Sequence, residues 1–245
     1  MNRPAPPSTP PAAGWRRASG WLGLAGLIAF ACADLEVTRG DPGAEMMRVG
    51  LGLLRPDFLA TEGLGRALAN TLAFAFQGVA LGAAAGFLLA LFWHRRAVRA
   101  GAASVRAVHE LFWGLLLMQV TGLSTLTGVL AIALPYAGIF AKVFGEFLEE
   151  ADPAPAVALP DDRRRLGRFF YARLPLIWAS CKAYTGYRLE CALRASAILG
   201  FIGLPTLGFH LETAFREGHY GEGAALLYLL FLLILTLRFW LRPLL

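Results

Sequence analysis

Four charged side chains, Lys182, Arg188, Glu190 and Arg194, lie inside an apolar stretch that runs from 174 to 203. A charge at the centre of a bilayer costs roughly 3 kcal/mol on insertion scales, so such groups turn toward a bundle interior, a water-filled path or one another. Glu190 and Arg194 are four residues apart, which puts them on one helical face and within reach of an ion pair. Residues 188 and 190 point in different directions, so at least one charge must meet another helix, water or an interface. The chemistry on offer is a transport pathway, which intramembrane charges mark by default. Equally open is a pair that only neutralises itself, or a cluster at the membrane surface. Gly186, Gly200, Gly203 and Pro205 predict a kinked or re-entrant element lining a cavity. The candidate pathway residues are therefore Arg188, Glu190, Arg194, Gly200 and Gly203.

Other chemistry finds no carrier. There is no G-x-x-x-x-G-K-[ST] loop and Lys142 and Lys182 are the only lysines, so the chain does not bind ATP that way. No G-x-S-x-G exists, the four histidines form no HExxH pair, and Cys32, Cys181 and Cys191 have no CxxC spacing. Neither an enzyme, a metal site nor a cofactor is indicated.

The elements that must position these charges are helices in a membrane. Of 245 residues 57% are hydrophobic and 16% charged, and mean hydropathy is +0.54. Soluble domains carry about 25% charged residues. The net charge of +6 comes from arginines lying between long apolar runs, which favours a membrane over nucleic acid. Residues 1–14 hold five prolines and read as a disordered cytoplasmic tail, followed by a membrane domain over 15–245. The apolar stretch from Trp21 to Ala33, extended back to Trp15 or Ala18, makes a first span; its Ala31-Cys32-Ala33 end also fits a cleaved signal peptide. Residues 34–66 form an aqueous loop.

Residues 67–93 carry no charge, and Gly78, Gly82, Gly86 and Ala90 recur every fourth position in them. Such a smooth face lets helix backbones approach closely within one subunit. Leu111 to Ala141 is uncharged for 31 residues, which suits one long span or two. The loops on either side, with Arg95, Arg96, Arg99 and Arg106 before and Arg163, Arg164, Arg165, Arg168 and Arg173 after, both belong in the cytoplasm. An even number of spans must separate them, so the chain turns near Gly122-Leu123-Ser124; the third span begins before Glu110 and the fourth ends near Phe144. Segments 174–203 and 223–241 are the fifth and sixth. With both termini inside, 14 arginines fall on the cytoplasmic side and 5 outside, as the positive-inside rule requires. The expected fold is all-α, a polytopic helical membrane protein of about six spans.

Three blocks carry a family resemblance. RAVHELFWGLLLMQVTGLSTLTGVLAIALPYAGIFAKVFGEFLEE (106–150), YRLECALRASAILGFIG (187–203) and LGFHLETA (207–214) resemble the permease subunits of phosphonate-type ABC importers. The family pattern is RA-x-PE, a Gly-rich turn, AG-x-x-GK-x-x-x-E, and later YR-x-E-x-x-x-RA-x-x-x-LG-x-x-G. The matches run from about Arg106 to the C-terminus, and the Tyr187–Gly203 block is the specific part.

The resemblance implies a type I ABC importer permease of six helices in the bacterial inner membrane, working as a homodimer or with a paralogous permease. Its implied partners are two cytoplasmic ATPase subunits and a periplasmic binding protein that delivers a phosphonate, phosphite or phosphate-like oxyanion. It also makes 149–175, which overlaps the cytoplasmic segment 145–173, the loop that docks into the ATPase, with Glu149 and Glu150 at its start and Leu174-Pro175 at its end. Ala156-Val157 replaces the family's EA pair and Asp162 its glycine, which alters the docking surface. His109 stands where the family has proline, and Leu204-Pro205-Thr206 replaces small residues and stiffens a hinge. The chain reads as a divergent member. A self-sufficient secondary transporter or channel is the alternative, though it is expected to show broken helices in both halves and only one broken segment is legible. A non-catalytic subunit of a membrane complex is the third reading.

Overall fold

The computed structural model describes residues 12–33, 41–152, 167 and 169–241, and every regular element among them is helical. Contacts divide the chain into two units, residues 1–46 and 47–245. In the first, α1 (Ala12–Cys32) has no buried face: Trp21, Leu22, Leu27 and Phe30 are all exposed. Apolar residues on every side suit lipid rather than water. The helix starts at Ala12, slightly inside the expected tail, whose residues 1–11 lie outside the described residues. A second helix, α2 (Pro42–Leu54), begins in what was expected to be loop. Asp41 accepts the Ala44 amide at 3.1 Å and Pro42 takes the first helical position, an N-terminal signal that the loop reading passed over.

The second unit is built on α3 (Leu64–Ala90) and α6 (Thr125–Glu150). A Cβ on Gly78 would lie 2.7 Å from Ile132 Cβ, one on Gly82 would lie 2.9 Å from Tyr136 Cβ, and one on Gly86 would overlap Phe140. Three missing side chains on α3 thus seat three large ones, also four apart, on α6. Between them come α4 (Arg96–Ala107) and α5 (Glu110–Thr121). Ala102 backs on Gly138, Gly114 on Ala131, and Thr121 bonds Thr127 at 2.7 Å. Both helices therefore run antiparallel to α6 as one interrupted partner. The turn falls where expected: Gly122 has φ +67°, which favours glycine, and Ser124 caps α6 through the Thr127 amide.

After Asp152 the description resumes at Gly167 and at a π-helical turn (Phe169–Arg173), then continues into α7 (Leu174–Ile198). A short 3-10 turn (Leu199–Ile202) and Gly203 at φ +94° end it, before α8 (Leu207–Glu217) and α9 (Tyr220–Leu241). The loop after α2 is tied to the start of α9: Tyr228 donates to the Leu53 carbonyl, Asp57 N–H to that of Gly221, and Thr61 to the Glu222 carboxylate.

Length and composition alone do not bring the described residues to the expected count of about six spans. By length and composition α3, α6 and α9 can each cross a membrane, and a fourth crossing exists if 169–202 and α8, bent by 52°, are one broken span. Ala18–Cys32 and α5 are apolar but shorter. The third expected span is interrupted at Val108-His109, and the fourth continues past Phe144 to Glu150. Gly186 does not break α7, which runs through it to Ile198.

Candidate functional site

Tyr136 stands near the middle of α6, 1% exposed, its backbone held by the absence of a side chain at Gly82. The guanidinium carbon of Arg188 on α7 sits 4.5 Å from the centre of its ring. The aromatic quadrupole attracts such a cation, all the more where water is scarce. One turn away, Tyr184 meets Phe140 edge-on at 5.8 Å, so α7 follows α6 in antiparallel register and keeps Arg188 at mid-helix depth. Nε of Arg188 is buried and has no hydrogen-bond partner among the described residues.

Three more polar groups converge there. Glu110, Cys191 and Arg194 are close enough, like Arg188, to act electrostatically on the Tyr136 phenol. Glu110 opens α5 at the interruption of the third span and is 3.3 Å from His109 Nε2. His109 Nδ1 accepts the Leu111 amide at 3.2 Å, so the imidazole caps the helix and bridges to the carboxylate. Its backbone, at φ −68° and ψ 150°, has the geometry that proline would hold. Arg188 thus brings a guanidinium to the buried Tyr136 ring at mid-depth of α6.

The sequence placed Glu190 and Arg194 as a pair. The structure brings no ion pair between them: Arg194 is exposed and points Nη2 at Cys191 Sγ, 3.5 Å away, while Glu190 is half-buried on the same helix. Gly200 is buried where α7 ends against α8, and any side chain there would overlap the Phe209 amide; a side chain at Gly208 would overlap the Ala197 carbonyl. The break is tied to α3 as well. Thr71 Oγ1 accepts the Leu207 amide at 3.0 Å, capping α8, and Asn70 donates to the Pro205 carbonyl at 2.8 Å. Leu204 and Thr206 are buried at this break.

At the other end of the bundle a cavity of about 360 Å³ is lined by Trp93, His94, Glu149, Phe169 and Arg173, among others. Arg99 pairs with Glu149, donates to the Trp93 carbonyl and lies over the Trp93 ring, whose other neighbour is the bare backbone of Gly145. Of the docking residues read from sequence, Glu149 and Glu150 end α6 and Leu174-Pro175 open α7. Ala156, Val157 and Asp162 lie outside the described residues. Glu149 and the turn before Leu174 border the same cavity, so the two ends of the intervening segment stand together.

Tyr136 and Glu110 escaped the sequence reading. A signal for Glu110 existed: a lone acid heads the uncharged run of 31 residues, and the third span had to begin before it. For Tyr136 there was none beyond its place next to Pro135 in that run.

The comparisons agree with this architecture. A solved chain described as an amino acid ABC transporter with histidines superposes with a TM-score of 0.62, over 84% of this chain and 98% of that one, at 18% identity. The fold is that of this ABC transporter chain. Among sequences, the phosphite transport system permease protein PtxC of Stutzerimonas stutzeri is 29% identical over 91% of this chain and 86% of its own length. The phosphate-import permease protein PhnE of Mycolicibacterium smegmatis is 34% identical over 62% of this permease-like chain, which spans only 31% of that relative. The putative phosphite transport system permease protein HtxE of Stutzerimonas stutzeri is 30% identical over 58% of this chain and 54% of its own length. No family model matches. The chain is thus a multi-pass permease-like membrane protein whose relatives are phosphite and phosphate transport permeases.

Proposed function

We propose that this chain is the permease subunit of a binding-protein-dependent ABC importer and forms the membrane path for a phosphite, phosphonate or phosphate-like oxyanion. The observation that carries this reading is Arg188, whose guanidinium lies over the Tyr136 ring at mid-depth of α6 with a buried Nε that has no hydrogen-bond partner among the described residues. An oxyanion crossing a bilayer needs a positive field where bulk water is absent, and arginine presents several donors in a fixed fork that suits tetrahedral oxyanions. Arg188, Glu190 and Arg194 line the path on α7, and Gly200 and Gly203 form the broken end that moves when access alternates.

The chain is a transport subunit without enzymatic activity of its own. Separate ATPase subunits drive it from the cytoplasm, docking on the segment between Glu149-Glu150 and Leu174-Pro175, which includes Ala156, Val157 and Asp162. A periplasmic protein delivers the solute, and a second permease, identical or paralogous, completes the path. The inner membrane holds it with both termini cytoplasmic, an orientation supported by the arginine asymmetry.

The test is purification of the tagged protein in mild detergent from its own cells. A near-stoichiometric co-purifying ATPase with a phosphate-binding loop is expected. A stable preparation without one, repeated after crosslinking in intact cells, contradicts the reading.

A further inference from the structure

A groove of about 500 Å³ runs between α3, α6, α7 and α9, walled by Ala83, Phe87, Phe144, Cys181, Leu189 and Leu241. One face of α7 forms its floor. Trp178, Lys182, Thr185 and Leu189 follow at three- and four-residue steps, and with Gly186 they line it. The walls are mostly apolar: Thr185 turns its hydroxyl to the Cys181 carbonyl, and the one charged side chain among them is Lys182, which is exposed and makes no ion pair or hydrogen bond among the described residues. Lysine inside an apolar span is expensive unless its ammonium reaches the headgroup level. Trp178 lies one turn closer to the start of α7 and is 54% exposed, the placement of an interfacial aromatic ring. That end of the bundle is also where α3 gives way to His94, Arg95, Arg96 and Arg99. Gly186, lacking a side chain, deepens the groove one turn further in.

We infer that this groove binds the acyl chain of an anionic phospholipid, whose headgroup phosphate pairs with Lys182 beside Trp178. Charge complementarity decides the occupant. A second copy of the apolar surface would leave the ammonium buried without a counter-ion, whereas an anionic lipid supplies both the chain for the groove and the charge for the lysine. The site is separate from the Tyr136 cluster, and the inference does not depend on which solute the protein carries.

Native mass spectrometry of the full-length protein, released from detergent with phosphatidylglycerol or phosphatidylcholine added, tests it. Wild type is expected to retain phosphatidylglycerol about fivefold over phosphatidylcholine, the size that one lysine gives near a membrane surface. Lys182→Gln should abolish the preference, Lys182→Arg should keep it, and Gly186→Leu should lower retention of both lipids by filling the groove. Millimolar inorganic phosphate should not displace the lipid. Equal retention of the two lipids by wild type, a preference that survives Lys182→Gln, or displacement by phosphate would overturn the inference. So would a Thr185→Cys disulfide joining two copies of the chain across the groove in native membranes.

Discussion

The guanidinium carbon of Arg188 lies 4.5 Å from the centre of the Tyr136 ring, joining α7 to α6 near the middle of both helices. Gly82, lacking a side chain, lets the Tyr136 backbone and Cβ sit close against α3. Sequence distance between the two residues is large, and only the antiparallel register of α6 and α7 brings them together. Glu110 opens α5 where the third span is interrupted, 3.3 Å from His109 Nε2.

From this follows a graded series at Tyr136. Tyr136→Phe keeps the ring and should retain most uptake and stability. Tyr136→Ala removes a fully buried ring and should cost about 3–5 kcal/mol, read as a lower unfolding temperature in detergent and loss of folded protein from the membrane.

The glycine face of α3 sets a second expectation. Gly82→Ala puts a methyl 2.9 Å from Tyr136 Cβ and 3.1 Å from the Ala133 carbonyl, so the helices must separate. Overpacking of this kind costs about 1–3 kcal/mol. Gly65→Ala, on the same helix with open space around it, should be neutral or slightly stabilising in the same thermal assay.

Thr71 offers a third. Its hydroxyl accepts the Leu207 amide in a buried setting. Thr71→Val keeps the shape and leaves that amide unsatisfied, a loss of about 1–3 kcal/mol. Hydrogen exchange should show it as faster exchange confined to the first turn of α8.

His109→Pro restores the residue that the resembling family carries. Val108 at φ −97°, ψ 129° and His109 at φ −68° are already compatible with it. Folded yield and unfolding temperature should change little, with the lost cap to Leu111 worth about 1 kcal/mol at most. A collapse of the folded protein would show that the imidazole bridge to Glu110 is what positions α5.

Periodicity and topology made much of this legible. The four-residue recurrence of Gly78, Gly82 and Gly86 reads directly as a close-packing face, since the helix repeat alone aligns those positions. The turn at Gly122 followed from requiring two arginine-rich loops on one side. The bend after Leu199 was visible in Gly200, Gly203 and Pro205, but Gly186 was not a break, because a single glycine costs a helix only about 1 kcal/mol and the helix runs on through it. Pairing across helices was beyond the sequence. Glu190 and Arg194 share a face by spacing, yet Arg194 turns to Cys191, while Arg188 finds its partner 52 residues back on α6. Helix register decides such contacts, and spacing along one helix carries no register with another.

The most direct test of the central claim is solute uptake by the complete complex in proteoliposomes. The permease is reconstituted with its ATPase and binding protein, and labelled phosphite, methylphosphonate and phosphate are followed. At least one oxyanion should accumulate with ATP. Arg188→Ala should assemble with the ATPase and hydrolyse ATP, yet lose at least about tenfold in uptake, the weight of a desolvated arginine contact. Undiminished uptake by a fully assembled Arg188→Ala complex, or accumulation that proceeds without the ATPase, would contradict the account.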